Sequence, residues 1–149
     1  MIAALNRIQI DNVLYSQIIG RIGCCANNKA YVVPITYAYN GEYIYCHTIE
    51  GMKVKFMRSN PLVCFEVERI ENMAHWQSVI LWGKYEELEG ELREEGLQIL
   101  VNRVHPLMTS ETIRPRFGLD APSTGIKTNK DTIIFRIKPE EATGKFEKR

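Results

Sequence analysis

Hydrophobic and polar positions along this chain recur at helical spacing in three stretches and alternate, or run together, in most of the rest. In residues 10–19, Ile10, Val13, Leu14 and Ile18 fall near helical spacing, which predicts a short amphipathic helix ending at Gly20. Arg21–Cys25, Ala30–Tyr39 and Glu42–Ile49 are rich in Ile, Val, Tyr and Thr, which pack well on pleated surfaces, and read as three strands. Asn40-Gly41 joins the second to the third, the dipeptide favoured where a two-residue hairpin needs positive φ at both central positions. Pro34 lies inside the second strand and has no N–H to give a ladder, so that stretch is an edge, a bulge or a place where something other than a strand lies alongside.

Met52, Phe56 and Met57 share one side of residues 51–60, with Lys53, Lys55 and Arg58 elsewhere, and Pro61 stops the predicted helix. Leu62–Glu68 alternates Val63, Phe65 and Val67 against Cys64, Glu66 and Glu68, and Trp76–Tyr85 is a second apolar run, so both read as strands joined by a polar connection through Asn72. Leu97, Leu100, Val101 and Val104 mark a third helix, acidic early at Glu94 and Glu95 and basic late at Arg103 and His105, ending at Pro106. Pro115, Gly118, Pro122 and Gly125 break Met108–Lys130 into a long loop, of the kind that serves as a lid or a partner contact. Thr132–Lys138 is a last strand before Pro139, followed by a solvated tail. The order predicts a mainly β protein with flanking helices: six antiparallel strands closed into a small barrel, because closure removes exposed sheet edges.

Length and composition narrow what such a barrel can do. The 149 residues form one domain, and 45% hydrophobic with 25% charged residues is the balance of an ordinary globular protein. A net charge of +1 provides no global field for nucleic acid or an anionic membrane, so any anion must be held locally. Asn6 and Arg7 stand where a signal peptide needs an apolar run, and no stretch reaches the roughly 18 apolar residues of a membrane span, so a cytoplasmic protein is expected. Cys24, Cys25, Cys46 and Cys64 show no C-x-x-C spacing and read as small buried strand residues of a reducing compartment. His75 and His105 have no metal-ligand spacing. The many tyrosines, with Trp76 and Trp82, read as core and cross-strand pairs rather than a base-stacking platform.

The segment with chemistry in it is Tyr45-Cys46-His47-Thr48-Ile49-Glu50-Gly51-Met52-Lys53, where a strand ends and a helix begins. Free N–H groups at a helix start attract phosphate, Gly51 lets backbone approach, Thr48 offers a hydroxyl and Lys53 a full charge. The same residues also describe an ordinary helix start with a surface lysine. His47 is either a hydrogen-bonded structural residue or, with an ordinary pKa near neutrality, a proton donor.

Tyr31-Val32-Val33-Pro34-Ile35-Thr36, Asn40-Gly41, Tyr45 to Lys53, Asn60-Pro61-Leu62-Val63-Cys64-Phe65, and Trp76-Gln77-Ser78-Val79 with Gly83 together resemble the pyridoxamine 5'-phosphate oxidase-like FMN-binding family, in particular its nitroimidazole-resistance branch, over about residues 20–88. The resemblance implies a split barrel with FMN at a homodimer interface, one subunit supplying most phosphate contacts and the other closing over the ring. It implies that Lys53 and Thr48 hold the phosphate and that His47 lies beside the phosphate and ribityl chain as a catalytic candidate. Val33, Pro34, Ile35 and Thr36 would run along the isoalloxazine where a flavin replaces a neighbouring strand, and Trp76 and Ser78 would fall near the ring.

Two departures matter. No histidine follows His105, so the Arg-x-His element that grips the vitamin phosphate has no counterpart in Thr143-Gly144-Lys145-Phe146-Glu147. Met52 stands where the family usually has a basic residue, which leaves Arg58, or Arg21 of a second copy, to supply charge. The expected function is an FMN-dependent oxidoreductase taking electrons from a reduced nicotinamide or another donor to a small aromatic or nitro-bearing acceptor. The alternatives are a flavin-binding protein without turnover and a split barrel that holds heme.

Overall fold

The computed structural model describes residues 1–104 and 131–149. His105, Pro106 and the predicted loop Met108–Lys130 lie outside the described residues. In chain order the elements are β1 (Ile2–Ala4), α1 (Arg7–Ser16), β2 (Ile19–Ala26), β3 (Lys29–Tyr39), β4 (Ile44–Thr48), α2 (Met52–Ser59), β5 (Leu62–Asn72), β6 (His75–Glu87), α3 (Gly90–Val104) and β7 (Ile133–Lys148). The strands join in one sheet in the order β1-β7-β4-β3-β2-β5-β6, and β6 pairs again with β7. That pairing closes six strands into the expected antiparallel ring. A seventh strand, β1, beyond the six that the sequence predicts, adds to the end of β7, with Ile2 opposite Glu147.

The ring is closed unevenly, as a split barrel is. β6 and β7 pair from His75 opposite Lys148 to Glu87 opposite Phe135. β2 meets β5 only through Arg21, Ile22 and Gly23, and β3 meets β4 only through Tyr37, Ala38 and Tyr39.

Alternation sends one side chain in two to the interior, where Ile22, Ile35, Tyr37, Ile44, Cys46, Val63, Phe65, Val67, Val79, Leu81, Phe135 and Ile137 form the core. Each large side chain buried there contributes about 1.5–3 kcal/mol. α1 adds Ile10, Val13 and Leu14 to this core, and the Tyr37 hydroxyl donates to the Leu14 carbonyl at 2.7 Å. Met57 of α2 joins it as well, while Phe56 packs edge-on against Tyr31. α3 lies outside the ring, where Leu97, Leu100 and Val101 cover Ala38, Tyr45 and Ile134.

Several boundaries differ from those predicted. α1 starts at Arg7 because Asn6 and Gln9 form a capping box: the Gln9 N–H donates to the Asn6 side chain at 2.9 Å, and the Asn6 N–H to Gln9 at 2.8 Å. It ends at Ser16, and Gly20 belongs to β2, where a Cβ would collide with the Phe65 ring.

The Asn40-Gly41 hairpin exists, but only Gly41 has positive φ (93°), and the Asn40 side chain closes the turn by accepting from Glu42 and Tyr43 N–H at 3.0 and 2.7 Å. The turn with two positive φ values joins β2 to β3, at Asn27 (52°) and Asn28 (61°). β5 and β6 run on to Asn72 and back from His75, so the polar connection is a tight turn.

β7 does not stop at Pro139. The register shifts between Trp82 and Gly83, opposite Glu141 and Pro139, and this bulge takes up a residue that cannot donate to a ladder. The tail read as solvated is therefore sheet as far as Lys148. Of the cysteines, Cys24 and Cys46 are buried, Cys64 partly so, and Cys25 is exposed. No helix among the described residues is long and apolar enough to cross a membrane.

Candidate functional site

β3 is the strand on which the site turns. From Lys29 to Thr36 it pairs with β2 on one side, Pro34 opposite Arg21, while β4 joins its other side only from Tyr37. Val33–Thr36 thus present an edge that no described strand covers, and Pro34, without an N–H, fits there. Alternation divides the four residues. Ile35 is buried in the core and Val33 packs against it, whereas Pro34 is exposed and Thr36 partly exposed on the outer face.

β4 ends beside that edge. Cys46 pairs with Tyr37, so His47 lies one residue beyond the last pair, on the same face as Thr36. Its other neighbour is Ile134 of β7. Burial first, and the Lys53 charge second, push the His47 pKa down to about 4. At neutral pH His47 is therefore a neutral imidazole with one donor and one acceptor, a hydrogen-bonding group and not the store of protons that an ordinary pKa implies.

The sign of the resulting pH effect is fixed. The unfolded chain binds a proton near pH 6.5 and the folded chain only near pH 4, so stability present above pH 6.5 is lost as the pH falls through that window. The loss attributable to His47 between pH 7.5 and 4.5 is roughly 2 to 3 kcal/mol. Urea denaturation of wild type and His47→Gln at both pH values is expected to show the variant losing that much less stability on acidification. Parallel losses in the two proteins would refute the assignment.

Thr48 is buried, and its hydroxyl donates to the Ile49 carbonyl at 3.3 Å. Four residues later α2 begins, and unlike α1 it has no capping side chain, since Gly51 stands at the N-cap; like α1, it holds no acidic residue in its first turn. Its leading N–H groups are the orphans every helix start leaves, and they carry the positive end of the helix dipole. Gly51 is extended (φ 176°), and a Cβ built there would find nothing nearer than the Ile49 carbonyl at 4.0 Å. Open space thus lies over the helix start.

Lys53 is partly buried and makes no ion pair with any described carboxylate. Its charge acts on His47 and Cys46 of β4 and on Cys24 of β2, the strands on either side of β3.

The other two cations the sequence offered are engaged. The Arg58 guanidinium grips Glu87 at 2.6 and 3.0 Å and Glu50 at 2.6 Å. Arg21 donates to Glu68 at 2.8 Å and Glu66 at 3.4 Å.

Trp76 and Ser78 are not brought to this corner. They sit on β6, separated from β3 along the sheet by β2 and β5. The Trp76 indole donates to Glu147 at 3.2 Å and the Ser78 hydroxyl to Glu66 at 3.2 Å. Burial, and then Glu68, raise the Glu66 pKa. The chain Ser78–Glu66–Arg21–Glu68 across the outer face escaped sequence reasoning, since it depends on β2 pairing with β5. The alternating glutamates of β5 are its only local sign.

Among the described residues, the corner joins an ammonium with no carboxylate partner, an uncapped helix start with space above it, a neutral imidazole and an uncovered strand edge. That donor set fits the phosphate and ring of a flavin mononucleotide moiety.

Comparison with known proteins agrees with this architecture. A FAD-binding protein from Mesorhizobium loti superposes with a TM-score of 0.74 at 28% identity, over 98% of both chains. A candidate 5-nitroimidazole antibiotic resistance protein from Bacteroides thetaiotaomicron superposes with a TM-score of 0.74 at 18% identity, over 98% of this chain and 87% of that one. An uncharacterised protein from Rhizobium meliloti is 34% identical over 87 residues, and the match spans 58% of each chain. The sequence profile of the family described as Pyridoxamine 5'-phosphate oxidase matches residues 6–146, so this chain belongs to that family.

Proposed function

We propose that this chain is a single-domain, homodimeric flavoprotein of the cytoplasm. It uses a flavin mononucleotide moiety, FMN itself or the same half of FAD, to pass electrons from a reduced nicotinamide to a small aromatic or nitro-bearing acceptor, as a 5-nitroimidazole reductase does. The observation that carries this reading is the β4–α2 corner: Lys53, without a described carboxylate partner, lies in the first turn of the uncapped α2, near the β3 edge that no described strand covers. The FAD-binding neighbour at 28% identity supports the cofactor class. Four free thiols suit a reducing compartment.

When bound, the flavin supplies the electron chemistry, and the protein supplies position, hydrogen bonds and exclusion of water. Lys53 and the first N–H groups of α2 hold the phosphate, each charge-assisted contact contributing about 1.5–3 kcal/mol. The free backbone groups of Val33–Thr36 meet the polar edge of the ring, Pro34 and Thr36 flank it, and Val33 and Ile35 fix the strand from the core side. His47 donates a hydrogen bond as a neutral imidazole, so protons taken up by the acceptor come from solvent. Trp76 and Ser78 reach the ring from the second copy of the chain.

The assay is direct. Purified protein is expected to be yellow, to bleach anaerobically with NADH or NADPH, and to regain its colour when a 5-nitroimidazole is added. A flavin that binds but is never bleached would mark a carrier without turnover, and a Soret band would mark a heme protein. Either result overturns the reductase reading.

A further inference from the structure

We infer that Arg58 is a positioning residue for the anion site: it holds Glu50 away from Lys53, and Glu50, once released, takes the place that the phosphate of a ligand would fill. This rests on the flavin reading above and adds an internal competitor to it.

The anion nearest to the site in sequence belongs to the chain itself. Glu50 stands one residue before the N-cap Gly51 and three before Lys53. A helix start with no acidic residue in its first turn and no capping side chain attracts a carboxylate there, through its free N–H groups and the positive end of its dipole. Three residues is also the spacing at which an acidic and a basic side chain pair along a helix. Local spacing therefore favours a Glu50–Lys53 pair, which would close the corner to any other anion.

A different pair forms. The Arg58 guanidinium donates to Glu50 at 2.6 Å through Nη1. It is anchored outside the helix by Glu87 at the end of β6, whose two carboxylate oxygens accept from Nε and Nη2 at 3.0 and 2.6 Å. That two-pronged grip fixes the plane of the guanidinium and leaves Nη1 for Glu50. An isolated exposed ion pair holds a side chain weakly, but a fork engaged by two carboxylates is the exception. Lys53 is left with no carboxylate partner among the described residues. Loss of Arg58 frees both acids, but only Glu50 belongs to the turn that leads into α2; Glu87 stays on β6.

The experiment reads two quantities in the full chain: FMN affinity, by quenching of flavin fluorescence, and the His47 titration in flavin-free protein, by NMR. The second reports the Lys53 charge, which helps to depress the His47 pKa. Arg58→Met keeps an aliphatic stem on the helix surface and removes the guanidinium. It is expected to lose about three- to tenfold in FMN affinity and to move the His47 titration upward, because Glu50 then neutralises Lys53. Adding Glu50→Gln to Arg58→Met is expected to recover both readouts, and Glu50→Gln alone to bind FMN at least as well as wild type. Adding Glu87→Gln instead gives the same net charge and is expected to recover neither. Weaker FMN binding in Glu50→Gln alone would show that the Arg58–Glu50 bridge shapes the turn, and equal rescue by Glu87→Gln that net charge alone matters. Either result, or a His47 titration unmoved in Arg58→Met, would overturn the inference. The His47 titration needs no flavin, so it decides the role of Arg58 separately; failure of the wild type to bind FMN would overturn the flavin reading instead.

Discussion

Replacing Lys53 with alanine is expected to weaken flavin binding by about ten- to a hundredfold while leaving the protein folded. The ammonium is the one cation at the corner with no described carboxylate opposing it, so no other charge compensates for its loss: Arg58 is locked to Glu50 and Glu87, and Arg21 to Glu66 and Glu68. A charge-assisted contact of about 1.5–3 kcal/mol converts to that range in affinity. Lys53→Arg keeps the charge and is expected to retain most of the binding. A second readout separates a true phosphate site from general damage. Lys53 is one of the two causes that depress His47, so its removal should move the His47 titration, followed by NMR, upward from about 4. Unchanged flavin affinity beside a shifted His47 would show that the lysine is where the structure puts it and that the phosphate is held elsewhere.

What the sequence reveals of this site follows from how local each feature is. His47, Thr48, Gly51 and Lys53 are consecutive at a strand-to-helix junction, and the chemistry of that junction is readable because no distant residue is needed to build it. Pro34 likewise announces an uncovered edge through its own missing N–H. The partners of Arg58 and Arg21 are invisible in the same way that β-sheet pairing is: Glu87 lies 29 residues from Arg58, and Glu68 lies 47 from Arg21.

The elements whose bounds differ from the sequence pattern have the same root. Pro139 looks like a strand end until the β6–β7 bulge absorbs it, and the tail looks solvated until β6 and β1 pair with it. Asn27-Asn28 takes the conformation expected of Asn40-Gly41, since two asparagines tolerate positive φ as that dipeptide does. The Asn6–Gln9 capping box, like the Asn27-Asn28 turn, is a local signal written in the sequence itself.

Charge placed on the outer sheet face is expected to do more than any substitution at the corner, because it should take the second copy away. On that face Val32 is 67% exposed, Leu62 59%, Trp82 40% and Ile80 37%, carried by β3, β5 and β6. With Gly23, Cys25 and Cys64, three of these, Val32, Leu62 and Trp82, border a hollow of about 500 Å³. Scattered exposed apolar residues are ordinary, but a contiguous set spanning neighbouring strands marks a surface that is covered in use. A stable dimer buries about 800 Å² on each partner, on the scale of one such sheet face. The wild-type protein is therefore expected to scatter light as twice its 17.2 kDa chain mass, and Val32→Asp with Trp82→Glu as a single chain. These side chains point to solvent within one copy, so the variant should keep its fold. It should also lose flavin affinity although neither residue lies at the Lys53 corner, because in the proposed function Trp76 and Ser78, three strands along the sheet from β3 in their own chain, serve the ring bound to the second copy. A wild type that is monomeric at micromolar concentration, or a doubly charged variant that still weighs two chains, would place the interface elsewhere and leave Trp76 and Ser78 without a part in the site.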